Sequence, residues 1–154
     1  MIISGYQGIG KSSLAGTNNC IDLESGNFWI DGIRDKNWYK IYCNIANHLS
    51  AQGYTVFVSS HEIVRKELEK SNEVVCVVYP SIKLKDQWIK KLKDRYETTK
   101  LEKDFKALAN AMDRYEENIK ELLYGNLQCY EITNINYDLK EIIILLKSLE
   151  EKNS

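Results

Sequence analysis

A single proline, Pro80, interrupts 154 residues, and no serine/glycine-rich linker, repeat or low-complexity tract is present. Nothing marks a boundary, so the chain reads as one domain over 1–154, long enough for a single buried core and short for two. No apolar run approaches the roughly 20 residues that span a bilayer, which argues against a membrane partner. Histidine is scarce, with two residues. The four cysteines, Cys20, Cys43, Cys76 and Cys129, are widely spaced, with no C-x-x-C pair and no Cys/His cluster. That excludes the common zinc and dithiol motifs and leaves buried reduced thiols as the expectation. Neither sign of charge dominates: 21 basic residues face 22 acidic ones, a net charge of -1. Nucleic-acid binding driven by general phosphate neutralisation is disfavoured, although a local basic patch stays open. Met1 opens an apolar stretch only three residues long, with no basic leader or signal core, so the cytoplasm is the expected location.

What is present is an alternation. Short runs rich in β-branched and aromatic residues, Met1 to Ser4, Cys20 to Leu23, Thr55 to Ser59, Val74 to Tyr79 and Leu127 to Ile132, read as strands. Between them the apolar residues recur every three or four positions. Trp38, Ile41, Tyr42, Ile45 and Leu49 make one face of a helix over Asp35 to Gln52, and further helices are expected over His61 to Lys70 and Leu84 to Tyr96. In Leu101 to Tyr124 the expected face is Phe105, Leu108, Met112, Tyr115, Ile119 and Leu122, and a last helix runs from Asp138 to Leu149. Strands alternating with helices predict an α/β sandwich on a parallel sheet, whose ligands lie beyond the carboxyl ends of the strands.

At the first such end stands Gly5-Tyr6-Gln7-Gly8-Ile9-Gly10-Lys11-Ser12, which fits G-x-x-x-x-G-K-[ST] at every fixed position. The glycines let the backbone curl so that successive N–H groups of Gln7, Gly8, Ile9 and Gly10 converge on phosphates, at the start of a helix whose dipole favours an anion. Lys11 is expected to reach the β- and γ-phosphates, Ser12 to place its hydroxyl on magnesium, and Ser13 to donate to the α-phosphate.

The loop, the acidic pair Asp22 and Glu24 after the second strand and the basic helix after the fourth together resemble the P-loop small-molecule kinases: nucleoside monophosphate kinases, shikimate kinase and small phage-encoded nucleotide kinases. The resemblance spans nearly the whole chain in element order, and only the phosphate loop is highly specific. It implies the P-loop NTPase fold, a three-layer sandwich with a five-stranded parallel sheet in the order 2-3-1-4-5. It also implies ATP and Mg2+ as ligands, with Asp22 beside Ser12 in the metal's water shell and Glu24 towards the acceptor. A helix cap or a solvated turn would use the same two carboxylates. Asn27, Phe28 and Trp29 fit either an aromatic wall or loop packing. The segment from about 81 to 98 resembles a lid: Lys83, Lys85, Lys90, Lys91, Lys93 and Arg95 face only Asp86 and Asp94 between Ile82 and Arg95. Arg95 is the first choice to meet the transferring phosphoryl group, because its planar fork suits bidentate contact.

One feature departs from the pattern of many P-loop ATPases. After the third strand stands Ser59-Ser60-His61, with no carboxylate where those proteins hold magnesium. His61 fits a phosphate contact or simply the start of a helix, and Arg65 fits an acceptor phosphate or a surface charge. Asn134, after the fifth strand, lies where relatives clasp adenine. The expected function is ATP-dependent phosphoryl transfer to a small acceptor, first a (deoxy)nucleoside monophosphate, catalysed through Lys11, Asp22, Glu24 and Arg95. The acceptor cavity is expected between the second-strand acids and the helix Asp35 to Gln52. A nucleotide-binding regulatory or weakly hydrolysing module, and a polynucleotide-end kinase, are the alternatives, and the expected assembly is a monomer or weak dimer.

Overall fold

The computed structural model describes residues 1–17 and 19–153; Asn18 and Ser154, both within the expected domain, lie outside the described residues. Five strands form one sheet: β1 (Ile2–Gly5), β2 (Cys20–Asp22), β5 (Thr55–Val58), β6 (Val75–Pro80) and β7 (Gln128–Ile132). Every pairing within it is parallel, and the order is β2-β5-β1-β6-β7. The numbering differs from the expected 2-3-1-4-5 because the sequence reading counted five strands and missed a hairpin. That hairpin pairs β3 (Trp29–Ile30) with β4 (Ile33–Arg34) in antiparallel register. Its two-residue turn is Asp31-Gly32, both at positive φ (51° and 76°), the left-handed conformation that a tight hairpin demands and that Asp-Gly supplies.

Helices flank the sheet: α1 (Lys11–Leu14), α2 (Trp38–Ala51), α3 (Glu62–Leu68), α4 (Lys85–Thr99), α5 (Glu102–Leu122) and α6 (Leu139–Asn153). Successive strand residues point to opposite faces, and the core divides accordingly. Ile2, Val56 and Val58 pack with Trp38, Tyr42, Cys43 and Ala46 of α2 and with Val64 and Leu68 of α3. Ile3 and Phe57 pack on the other side with Trp88 and Leu92 of α4, Tyr115 and Ile119 of α5, and Ile142 of α6. Because both faces are covered, β5 and β6 can be apolar almost throughout, at about 1.5–3 kcal/mol for each large aliphatic side chain removed from water.

Two expectations need correction. The buried face of α5 is Asp104, Ala107, Ala111, Tyr115, Ile119 and Leu122, whereas Phe105 and Met112 are exposed. The buried residues recur every three or four positions across Arg114, whose φ of -138° and ψ of 35° kink the helix without moving the stripe; in its first half the core takes Ala107 and Ala111 and leaves the larger Phe105 and Met112 outside. Among the cysteines, Cys20, Cys43 and Cys76 are buried as expected but Cys129, on the edge strand β7, is exposed.

Candidate functional site

β1 lies at the centre of the sheet, so the chain leaving its carboxyl end is flanked by the ends of β5 and β6. The Gly5–Ser12 turn runs there through two glycines in the left-handed region, Gly8 at φ 89° and Gly10 at φ 111°. At Gly8 a side chain would be excluded twice over, since a Cβ would stand 2.8 Å from Leu92 Cδ2 and 3.3 Å from Trp88 Nε1. Tyr6 donates its amide to Val78 O and Ser13 donates to Gly10 O. Among the described residues, the amides of Gln7, Gly8, Gly10, Lys11 and Ser12 make no backbone hydrogen bond. A curl of unsatisfied donors is the chemistry of an anion nest. The helix that follows is a single turn, Lys11–Leu14, so the dipole expected from it contributes little and the amides of the loop must carry that role.

Side chains from α4 and from the loop before α6 hold the loop from behind. Trp88 Nε1 donates to Gln7 O at 2.8 Å, and Tyr137 Oη donates to Ile9 O at 2.7 Å. The two rings stack, with centroids 5.8 Å apart and planes 12° from parallel. Lys91 Nζ lies 4.3 Å above the Trp88 ring and donates to Tyr137 Oη at 2.6 Å. Burial, and then the nearby Arg95 charge, lower the Lys91 pKa to about 8.

In front of the loop is a cavity of about 360 Å³. It gathers Gly5, Gln7, Gly8, Gly10, Lys11, Ser12, Asp22, Glu24 and Arg95. These come from three separate stretches of sequence, and all were expected at the site. Lys11 is half-buried there. Burial lowers its pKa, the Asp22 and Glu24 carboxylates oppose that, and the Arg95 and Lys103 charges add to it. Ser59, Ser60 and His61, at the end of β5, also line the cavity. His61 Nδ1 meets the Ser59 hydroxyl, and burial followed by the Arg34 charge lowers its pKa.

Three of the expected residues stand elsewhere. The Ile9 side chain is buried in the core, so only its backbone can serve the loop. Ser13 is exposed and outside the cavity lining. Asn134 lines a separate hollow with Thr133 and Tyr137 at the end of β7. Phe28 packs against Trp38 and Tyr42, and Trp29 is exposed, so neither forms a wall of the cavity. No α2 residue lines it. Arg65, a candidate for an acceptor phosphate, is buried, and its Nε and Nη1 donate to the carbonyls of Ser60, Glu121, Leu122 and Tyr124. It ties the end of α5 to α3.

The sequence reading missed Lys103, Asp104 and Ala107, which α5 brings to the cavity. Asp104 is 5% exposed; its carboxylate accepts the Thr99 hydroxyl and pairs with Arg95 Nε at 3.1 Å. Arg95 Nη2 in turn donates to Ser12 Oγ at 3.4 Å. A signal for Asp104 did exist, because it precedes Ala107, Ala111 and Tyr115 at helical spacing and so places a carboxylate on a buried stripe.

The cavity therefore combines hard oxygen donors (Ser12, Asp22 and Glu24) with three cations and a nest of amides. This set fits a magnesium-bound polyphosphate. Among the described residues no group of three or more His, Cys, Asp or Glu side chains is placed to hold a metal alone, so phosphate oxygens and water would have to complete its shell. No protein-family model matches the chain, and no curated protein matches it significantly. No described helix is long and apolar enough to cross a membrane.

Proposed function

We propose that this chain is a P-loop NTPase-fold phosphotransferase that moves the terminal phosphoryl group of ATP to a small acceptor, of which a (deoxy)nucleoside monophosphate is the favoured class. The observation that carries the reading is the convergence of Lys11, Ser12, Asp22, Glu24 and Arg95 on one cavity beside the unsatisfied amides of the glycine loop. The loop amides bind the phosphate chain, and Lys11, half-buried at the start of α1, places its charge on the β- and γ-phosphates. Charge neutralisation along the phosphates is what magnesium supplies when bound, with Ser12 and Asp22 as the residues that would hold it. Glu24 orients the acceptor oxygen, and Arg95 meets the charge on the phosphoryl group as it moves. Catalysis of this kind is mainly positioning and exclusion of water.

A second reading, a nucleotide-binding regulatory module without an acceptor, draws support from one feature. β5 is followed by Ser59-Ser60-His61, with no carboxylate to hold magnesium or activate water. Both readings are tested by incubating the protein with magnesium–ATP and a panel of nucleoside monophosphates and small alcohols, and following ADP release. Transfer predicts release that depends on one acceptor class and falls at least about a hundredfold in Lys11→Ala, the scale of losing a preorganised charge in the site. ATP binding with no acceptor dependence would overturn transfer in favour of the regulatory reading.

A further inference from the structure

Three buried or half-buried tyrosines near the carboxyl end of the sheet satisfy their hydroxyls in the same way. Tyr42 donates to Leu23 O at 2.6 Å, Tyr115 to Ser81 O at 2.8 Å and Tyr137 to Ile9 O at 2.7 Å. Tyr6 does not. It is 4% exposed, its ring is held edge-on by Trp88 and Tyr115, and its hydroxyl has no hydrogen-bond partner. Burial without a partner raises its pKa to about 12, so the group remains a protonated hydroxyl that can both donate and accept. Buried polar groups are paired in the great majority of cases, so an orphan of this kind calls for an explanation.

Tyr6 lines a second cavity, of about 300 Å³, between α3 and α5. This cavity shares Gln7, Ser60 and His61 with the first, so the two adjoin where Gln7 meets the segment after β5. Their chemistry differs. The first holds Lys11, Arg95 and Lys103, whereas the second has Glu62 and Glu121 against a single cation, Arg65. The Arg65 Nε and Nη1 are already committed to backbone carbonyls. A phosphate would find excess negative charge there. An uncharged head with donors and acceptors on its edge would find the Asn118 amide and the Glu121 carboxylate, and a small shift of the Tyr6 ring would open its solvent-closed hydroxyl to the same ligand. An Asn amide offers a donor and an acceptor side by side, the pattern that matches a nucleobase edge.

We infer that the cavity between α3 and α5 binds the uncharged nucleobase end of the acceptor, with Tyr6 and Asn118 as its hydrogen-bonding partners, while the acceptor's phosphate lies in the adjoining cationic cavity. The assignment rests on the phosphoryl-transfer reading for its link between the two cavities. It replaces the expected acceptor pocket beside α2, from which no residue lines either cavity. It also accounts for Tyr6. An orphan hydroxyl is a cost to the folded chain that a ligand would recover, so removing it should weaken binding without weakening the fold.

The test uses free nucleosides, which carry the base without the phosphate: adenosine, guanosine, cytidine, uridine and thymidine, titrated by calorimetry into wild type, Tyr6→Phe and Asn118→Ala. The expected result is that at least one nucleoside binds, and binds about tenfold or more weakly to each variant, while the melting temperature of Tyr6→Phe is equal to or above that of wild type. Binding of no nucleoside would overturn the assignment. So would unchanged affinity in Tyr6→Phe, the variant least able to disturb folding, and so would glycerol or inorganic phosphate binding there in place of a nucleoside. Magnesium–ATP binding on the same samples, with Lys11→Ala as control, reports on the donor site alone. Nucleoside binding in a protein that does not bind ATP would sink the transfer reading and still locate the base.

Discussion

Two tryptophans show how unevenly the surroundings of the cavity are built. Trp88, on α4, is completely buried, lies beside Tyr137 in a ring stack and donates to the backbone of the glycine loop. Trp29, in the β3–β4 hairpin, is 53% exposed, and its neighbours Ile30 and Ile33 are exposed above 70%. Arg34 lies over its ring at 4.7 Å and, closer, over Trp38 at 3.8 Å. The same side chain therefore serves as a structural pin in one region and covers little in the other. A loop that must hold its amides in a fixed curl needs rigid support, and it receives that support from side chains some 80 and 130 residues away in sequence. The stretch from Ser25 to Arg34 has no comparable anchor: Phe28 packs on Trp38 and Tyr42, and the hairpin beyond it pairs mainly with itself.

The sharpest way to break the comparison is to remove the pin. Trp88→Ala should cost about 3–5 kcal/mol in a denaturant titration, the range for a large buried aromatic, since it opens a cavity between α4 and the loop and releases Gln7 O. Magnesium–ATP affinity should fall with it. Trp88→Phe separates the two effects: it keeps most of the packing and loses only the indole N–H, so its stability loss should be nearer 1 kcal/mol while the loop amides still lose their tether. Full affinity for ATP in Trp88→Phe would mean that the curl is set by the glycines alone.

How much of this was legible beforehand follows from the range of the signals. The five sheet strands and five of the helices were visible because their periodicities are local, and the glycine loop was visible because its fixed positions are contiguous. Asp22, Glu24 and Arg95 could be placed at the site because each follows a strand end or sits on a helix next to one. The hairpin was missed although Asp31-Gly32 is a strong turn pair, since strands of two residues carry no alternation to read. The support from Trp88 and Tyr137, and the role of Arg65 in tying α3 to α5, were not legible at all. A hydrogen bond to a backbone carbonyl leaves no pattern in sequence. Asp104 falls between these cases: its stripe could be read in principle, but it runs through the small Ala107 and Ala111, and the larger apolar Phe105 and Met112, one position further on, drew the expected face away from it.

Asp104 supplies the intermediate test. It is buried beside the Thr99 hydroxyl and fixes Arg95 against the cavity, whereas the Arg95 side chain itself is about one-third exposed. Asp104→Asn keeps the shape and removes the charge. Screening at the Arg95 end limits the stability loss to about 1 kcal/mol. The larger consequence should be kinetic, because an arginine no longer held in place contributes less to a developing charge. Asp104→Asn and Arg95→Lys should each lower the acceptor-dependent rate about tenfold, and the double variant should be little slower than either, as expected for residues acting as one unit. Additive losses would show that Asp104 acts on the substrate directly and not through Arg95.

The smallest effect belongs to the hairpin, and its size is what gives the comparison content. Trp29→Ala removes a large aromatic ring, but one that is mostly in water and whose cationic partner keeps the nearer ring of Trp38. Stability should change by no more than about 0.5 kcal/mol, the range of surface substitutions away from special features. Because Trp29 lies outside the lining of both cavities, magnesium–ATP and nucleoside affinities should be unaltered. A loss of acceptor affinity in Trp29→Ala, with the fold intact, would carry a different meaning from the same loss in Trp88→Ala. It would show that the hairpin moves onto the bound acceptor, and that the exposed side of the cavity is completed by the ligand and not built in advance.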